Sequence, residues 1–480
     1  MQHLVIIGAG ISGLAAAFGA RERALERGTD LRITVLEAET EVGGKALSKK
    51  HLGGWQTESG PTGYLSGEPV MDRLAAIAGL TPIAATEAAS RRFLVQNHRL
   101  REIHPHPLKF ATSGILSPLG LLRLLRERAV PKIAPGTEES VWHFAARRLG
   151  PEAADRLIHP MVLGVFAGDA KQLSLPSAFP RMAEMEQQYG SLFKALAAKR
   201  REAKSKGTTA GGPAGPSGKL LSFEGGIQAL PKALATAASR TEHTGHAPIE
   251  IRRSTPVTSI TPRPGRGYIV AHPGTGPDLQ ADALILATEA HVQARLLQDL
   301  APEASAALAQ IPQPPVSVVS LGFAPPAANL FPKAFGALIP RKEGIRALGF
   351  LLDSHMFEGR APAGHTLVRL LYGGTFDPEI TALSSQELIA QAQRDLQTLF
   401  PAAAGPAFTQ VTAWSQAIPQ YSLGHPDRIA RVSNAIAAPN AAHGALHLAG
   451  NSQHGVAFSK AALTGWSSGL ENGASPASAV

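Results

Sequence analysis

Leu4-Val5-Ile6-Ile7-Gly8-Ala9-Gly10-Ile11-Ser12-Gly13 lies near the start of a 480-residue chain and decides its fold. An apolar run suited to a buried strand meets a glycine fingerprint, G-x-G-x-x-G, and a small-residue helical pattern follows. The first glycine permits a sharp turn, the second a close approach of backbone to a pyrophosphate, and the third tight packing of helix on strand. The helix opening at Ile11 offers unpaired N–H groups and the positive end of its dipole to phosphate. A second apolar run, Ile33 to Leu36, ends at Glu37, 24 residues beyond Gly13, where an acid can bind ribose hydroxyls. Strand, fingerprint, helix, strand and acid in that order predict a dinucleotide site. The competing reading is a glycine-rich turn in an ordinary α/β unit. Gly43-Gly44-Lys45 comes directly afterwards and favours FAD over NAD, adding a flexible turn and a cation that a bound pyrophosphate can use.

Composition narrows the function classes. A chain of this length exceeds a single core and predicts two or three domains. Its 44% hydrophobic and 17% charged residues describe a globular protein. With no cysteine, disulfides, thiolate metal sites, a cysteine nucleophile and a cysteinyl flavin link are excluded. The seventeen histidines show no metal-ligand spacing, so no metal is expected. The N-terminus enters a strand without a basic region and apolar signal core, which predicts a cytoplasmic protein. No apolar stretch reaches the ~18 residues of a spanning helix. The net charge of +9 favours an anionic partner, either lipid headgroups or a polycarboxylate. Nucleic acid is not expected, because aromatics are only 5% and no nucleic-acid motif is present.

Along the chain, residues 1–80 read as βαβ. Residues 81–200 are rich in Leu, Arg and Pro with helical periodicity. Within them, Ile115 to Arg128 combines leucines with arginines, as in a helix lying on a membrane or packed on its own domain. Residues 198–219 turn basic and then Gly/Pro/Ser-rich, and read as a loop or linker. Strands are predicted at 249–252, 257–261, 268–271, 283–287, 316–323, 367–372 and 446–450. Helices are predicted near 230–238, 385–399 and 459–470.

Taken together the chain resembles the flavin-dependent porphyrinogen oxidases, the protoporphyrinogen and coproporphyrinogen oxidases of haem synthesis. Besides the fingerprint, the resemblance rests on Glu58-x-Gly60-Pro61, Arg92-Phe93-Leu94, Leu173-Ser174, Phe179-Pro180 and Gly225-Gly226. Its most specific parts are Gly164-Val165-Phe166-Ala167-Gly168-Asp169 and Ile418-Pro419-Gln420-Tyr421-Ser422-Leu423-Gly424-His425, and it closes with Gly455-Val456-Ala457. It implies an α/β architecture in three parts. A Rossmann-like FAD domain is assembled from residues 1–80, 220–290 and 406–480. An α+β substrate domain is formed by 81–91, 201–219 and 291–405. A helical membrane-surface domain spans 92–200.

The resemblance also implies roles. Gly8, Gly10, Gly13, Glu37, Gly43, Gly44, Lys45, Gly60 and Pro61 match FAD-holding positions. Val257 matches the position whose backbone meets adenine, and Trp414, Gly450, Val456 and Ala457 match positions around the isoalloxazine. Arg92 matches a propionate-binding arginine, Gly164 the glycine facing the pyrroles, and Phe335, Leu338 and Leu371 the apolar walls of the macrocycle. The flavin would carry the redox step, with no catalytic side chain, and His425 would be structural. The implied reaction is six-electron oxidation of a porphyrinogen, protoporphyrinogen IX before coproporphyrinogen III. Implied partners are dioxygen as electron acceptor, a cytoplasmic membrane face, ferrochelatase receiving the product, and a second copy of the chain. Three segments depart from the family pattern: Phe458-Ser459-Lys460-Ala461, whose Lys460 either raises the flavin's electron affinity or points to solvent, Glu289 where proline is usual, and Gln187 to Ser191. Rival readings are a flavin amine oxidase or carotenoid desaturase, and a non-catalytic flavoprotein.

Overall fold

A computed structural model describes residues 2–205, 218–240, 248–273, 276–403 and 405–472. Its organising element is a five-stranded parallel sheet. The spatial order is Glu250–Arg252, Leu31–Leu36, Gln2–Ile7, Ala283–Leu286 and Leu446–Leu448. The central strands are nearly continuous Val, Ile and Leu because helices and a β-meander cover both faces. Ile7 stands opposite both Leu36 and Leu286, so the strands end at one level. The chain leaves that edge through Gly8, Glu37, Ala287 and Ala449. Their N–H groups donate to the carbonyls of Leu36, Arg252, Ile7 and Leu286 at 2.7–2.9 Å.

Two helices from opposite ends of the sequence close one face of this sheet. Ile11–Arg27 packs along Phe458–Asn472, and glycines allow their backbones to meet. A Cβ on Gly465 would collide with the carbonyl of Ser12, one on Gly469 with that of Ala16, and one on Gly19 with that of Trp466. The chain ends therefore converge on one cofactor domain.

A second, seven-stranded sheet has the order Phe408–Trp414, Val316–Phe323, Thr366–Gly373, Gly349–Leu352, Gly336–Leu338, Arg92–Gln96 and Arg99–Glu102. One face buries Phe350, Leu352, Val368, Leu370 and Tyr372 against the helix Ser385–Leu399. The other face looks toward the parallel sheet.

The segment boundaries implied by resemblance shift accordingly. Residues 92–102, assigned to the helical domain, form a hairpin in this sheet. Its turn is Asn97-His98, both with φ near +55°, as a two-residue hairpin loop requires. Phe408–Trp414, assigned to the FAD domain, is the opposite edge strand. Residues 291–309, assigned to the substrate domain, lie in helices buried against Val5 and Leu284 of the parallel sheet. The helix Leu192–Ser205 continues into the basic run read as a loop, and 206–217 lie outside the described residues. The helical unit follows the hairpin and has its own core around Phe144, Val162, Phe166 and Met185.

The helix pair yields a stability test. Gly469→Leu forces the two backbones apart and should lower the thermal midpoint, with an overpacking cost of about 1–3 kcal/mol or more. A midpoint equal to wild type in a calorimetric scan would contradict the contact.

Candidate functional site

The glycine loop lies at the carboxyl edge of the parallel sheet, where such folds bind ligands. Gly8 has φ +103°, and a Cβ there would come 2.9 Å from Ala287 O. A Cβ on Gly13 would collide with Gly8 O, which makes this the tightest helix–strand contact of the loop. Gly10 is different: its ordinary φ of −69° would accept any residue, and nothing lies within 4 Å of a Cβ built there. The open side of Gly10 faces a helix start that no side chain caps. Gly43 N–H donates to Ala9 O at 2.9 Å, joining the second glycine turn to the first, and a Cβ on Gly44 would lie 3.6 Å from Gly10 Cα.

Glu37 is buried and accepts from the N–H groups of Ala9 (2.7 Å) and Glu39 (3.0 Å). Burial raises its pKa against these bonds. Its carbonyl receives Thr255 N–H at 2.8 Å, which brings Val257 to the same end of the cradle. Toward the other end, Gly60 lies against the Lys45 carbonyl beside Pro61. The Trp414 indole donates to Ser59 O at 2.7 Å. The Lys45 ammonium lies 5.8 Å from the Trp414 ring centre and pairs with Glu289, while burial pushes its pKa down to about 8. Gly450 exchanges bonds with Thr464 of the C-terminal helix at 3.1 Å, and Val456 and Ala457 precede that helix.

Of the residues expected to meet the substrate, Arg92, Leu338 and Leu371 lie on the inner face of the seven-stranded sheet, with Phe335 just before one of its strands and Gly164 on a facing helix. Thr412, Val318, Leu371, Gly349, Leu338 and Leu94 form one row across six strands. The next row holds Ser320, Arg369, Leu351, Gly336 and Arg92. Gly349 puts no side chain between Leu338 and Leu371, a Cβ there coming 2.7 Å from Ala337 O, and Gly164 on the helix His159–Phe166 lies against Leu338 from across. Arg92 lies 5.1 Å over the Phe335 ring. Its neighbour Arg91 pairs with Glu102, but among the described residues no carboxylate pairs with Arg92. Its guanidinium is open to solvent, and protein packed around it lowers its pKa by desolvation.

The two most specific sequence stretches touch each other. Gln420 Nε2 donates to Phe166 O at 2.7 Å and to Ile418 O at 2.9 Å, securing the turn where Ala167 takes φ +50°. Tyr421 packs on Phe166, stacks on His425 at 4.3 Å and donates to Asn451 O. His425 is buried with Nε2 3.3 Å from Gln453 O, and burial lowers its pKa to about 4, so it is neutral at pH 7.

Each departure from the family pattern has an internal partner. Lys460, read as a charge either near the flavin or pointing to solvent, pairs with Glu68 at 2.5 Å, which offsets the repulsion between an ammonium in the first turn of a helix and its dipole. Ser191 donates to the buried Glu127, and Gln187 donates to Ile133 O at 3.2 Å.

Comparisons with known proteins agree with this geometry. A profile described as "Flavin containing amine oxidoreductase" matches residues 11–468. Chloroplastic protoporphyrinogen oxidase of Oryza sativa subsp. japonica is 30% identical over 95% of this chain and 85% of that protein. Coproporphyrinogen III oxidase of Bacillus subtilis is 28% identical over 95% of this chain and 94% of its own. The chain belongs to the flavin-containing amine oxidoreductases, among the porphyrinogen oxidases. Solved structures agree on the fold of this amine oxidoreductase. A candidate protoporphyrinogen oxidase from Exiguobacterium sp. 255-15 superposes with TM-score 0.80 at 24% identity, covering 98% of both chains. Cyclohexylamine oxidase from Brevibacterium oxydans superposes at 0.67 and 17% identity with the same coverage.

FAD is the cofactor of this oxidoreductase, and the residues fit it. The open side of Gly10 and the uncapped helix can take the pyrophosphate, and Thr288 Oγ1 is buried at the same edge without a protein partner. Bound there, the flavin supplies two-electron acceptor chemistry. Sequence reasoning missed Arg369, which is buried and held by Asp353 at 3.0 Å. It donates to Glu58 O (3.2 Å), Gly60 O (2.7 Å) and Thr62 Oγ1. The available signal was a charge inside the apolar run Leu367-Val368-Arg369-Leu370-Leu371.

Two tests follow from this geometry. Gly10→Val should leave the melting of the apoprotein unchanged yet weaken FAD binding at least tenfold in a flavin-fluorescence titration, because its side chain fills only the cradle. The folded state holds His425 neutral while the unfolded chain protonates near pH 6.5. Its contribution is therefore complete above pH 6.5 and is lost as pH falls toward 4, on the order of 3 kcal/mol in all. His425→Gln should flatten the drop in melting temperature between pH 7 and pH 5.

Proposed function

We propose that this enzyme oxidises a porphyrinogen to the porphyrin, passing six electrons in three two-electron steps through FAD to three dioxygen molecules, which leave as three hydrogen peroxide. The observation that carries the reading is the inner face of the seven-stranded sheet. There an unpaired arginine stands beside an aromatic ring, and Leu338, Gly349 and Leu371 form an apolar row opposite Gly164. Such a wall suits a greasy macrocycle with a carboxylate edge. Burial of its apolar surface supplies about 25 cal/mol per Å², and the guanidinium fork matches both oxygens of a propionate.

Protoporphyrinogen IX is the preferred substrate in this reading, since on this face, among the described residues, Arg92 is the cation left without a carboxylate, which fits a molecule with propionates on one edge. Coproporphyrinogen III is the second reading, favoured by the similarity to the Bacillus subtilis enzyme over nearly its whole length. Side-by-side turnover, read as porphyrin fluorescence with oxygen uptake, separates the two. Turnover of amines instead would replace both.

The helix Pro118–Leu125 supports contact with a membrane surface. Leu119, Leu122 and Leu125 are 78%, 58% and 74% exposed, at helical spacing, and Lys109, Arg126, Arg128 and Lys132 are exposed around them. Among the described residues no helix is long and apolar enough to cross a membrane. The inward side of the same helix, Leu121 and Leu124, packs with Leu338 and Leu94, so the leucine stripe borders the macrocycle wall. Such a position suits uptake of substrate from lipid, and release of the porphyrin toward ferrochelatase along the same surface.

Arg92→Ala should lower kcat/KM for the porphyrinogen about 10- to 100-fold, the loss of a charged hydrogen bond, while flavin content stays at the wild-type level; unchanged kinetics would refute the assignment. Leu119→Glu with Leu122→Glu should abolish flotation with vesicles of anionic phospholipid and leave turnover of detergent-solubilised substrate intact.

A further inference from the structure

We propose that Glu289 is a positioning residue that fixes the Lys45 ammonium at the flavin end of the cradle and thereby sets the flavin's reduction potential. The inference rests on FAD occupancy of the site, and not on the identity of the substrate. Glu289 follows Ala287 and Thr288 at the carboxyl edge, where Ala287 lies against Gly8 and Gly13. It is the N-cap of the helix Ala290–Leu296, its carbonyl accepting Val292 N–H at 3.0 Å and Gln293 N–H at 2.9 Å. A carboxylate in that place ordinarily accepts the free N–H groups of the first turn. Here no side-chain cap bond forms, and the carboxylate reaches across to Lys45 instead. Its second oxygen lies 3.8 Å from His291 Nε2, whose Nδ1 lies 3.3 Å from Gln313 Oε1 at the rim of a cleft of about 460 Å³.

Lys45 is equally constrained. It comes directly after Gly43-Gly44, of which Gly43 is bonded to the fingerprint loop, and its carbonyl lies against Gly60. Its ammonium sits near Trp414, at the edge of the substrate sheet. A dinucleotide whose pyrophosphate rests on Gly10 and whose ribose end lies at Glu37 must run its flavin half toward this pair, which spans the gap between the two sheets. A lone half-buried cation there favours the anionic reduced flavin and makes the cofactor more oxidising. Glu289 turns that cation into a neutral pair and restrains the effect.

The test is a dye-coupled reductive titration of purified holoenzyme, with no porphyrinogen present. Glu289→Gln should shift the oxidised–reduced equilibrium at least tenfold toward reduced flavin, about 30 mV upward for a two-electron couple. Lys45→Met should shift it downward, Glu289→Asp should stay near wild type, and the double variant Glu289→Gln/Lys45→Met should lose the upward shift. A potential for Glu289→Gln within threefold of wild type, or an upward shift that persists without Lys45, overturns the proposal. Should Glu289→Gln lose FAD, Lys45→Met alone decides: a lowered potential supports the pair, and an unchanged one overturns it.

Discussion

The buried Arg369 is the interaction on which the relation between the two sheets depends. It springs from a central strand of the seven-stranded sheet, yet its guanidinium is spent on the carbonyls of Glu58 and Gly60 and the hydroxyl of Thr62, the segment stacked beside Lys45 at the cofactor edge. Asp353 balances its charge, and Glu58, pushed up to about 7 by burial, adds a second acid facing Arg360 and Arg369. Buried charges of this kind contribute little net stability, and removing one partner is costly because the other is left uncompensated. What they give is a fixed orientation. The wall bearing Arg92, Leu338 and Leu371 cannot slide relative to the glycine cradle without stranding a guanidinium in a dry interior.

Around that tie the charges divide by purpose. Arg147 and Arg148 are absorbed by Glu127, Glu139 and Glu186 inside the helical unit, which anchors the base of the leucine-bearing helix. Arg91 is taken by Glu102, and Lys460 by Glu68. Arg92 is left on the inner face with an aromatic ring for company, and that contrast, more than the net positive charge of the chain, points to a carboxylate-bearing ligand.

The cofactor half was legible because its signals are local. The fingerprint reads directly as turn, cradle and helix contact, and the runs Val316 to Phe323 and Tyr268 to Ala271 became strands with those limits. The hairpin at 92–102 was hidden by its short strands, flanking arginines and a turn made by Asn-His in place of glycine. Phe408–Trp414 is only half-buried and pairs on one side, so its sequence carries weak alternation. The site residues themselves came mostly through likeness to a family. Leu338 and Leu371 become a wall only when Gly349 lines up between them, and no spacing along the chain encodes that alignment.

The glycine-lined meeting of the first and last helices has a consequence for biogenesis. Residues 11–27 and 458–472 are separated by almost the whole chain, and contacts of such sequence separation form late. The seven-stranded sheet is complete in the sequence at Trp414, before the helix Phe458–Asn472, whereas the face of the parallel sheet that this helix covers is not. Tight flavin capture thus waits on that helix, and a polypeptide lacking it would carry a half-built cradle with its apolar helix face uncovered.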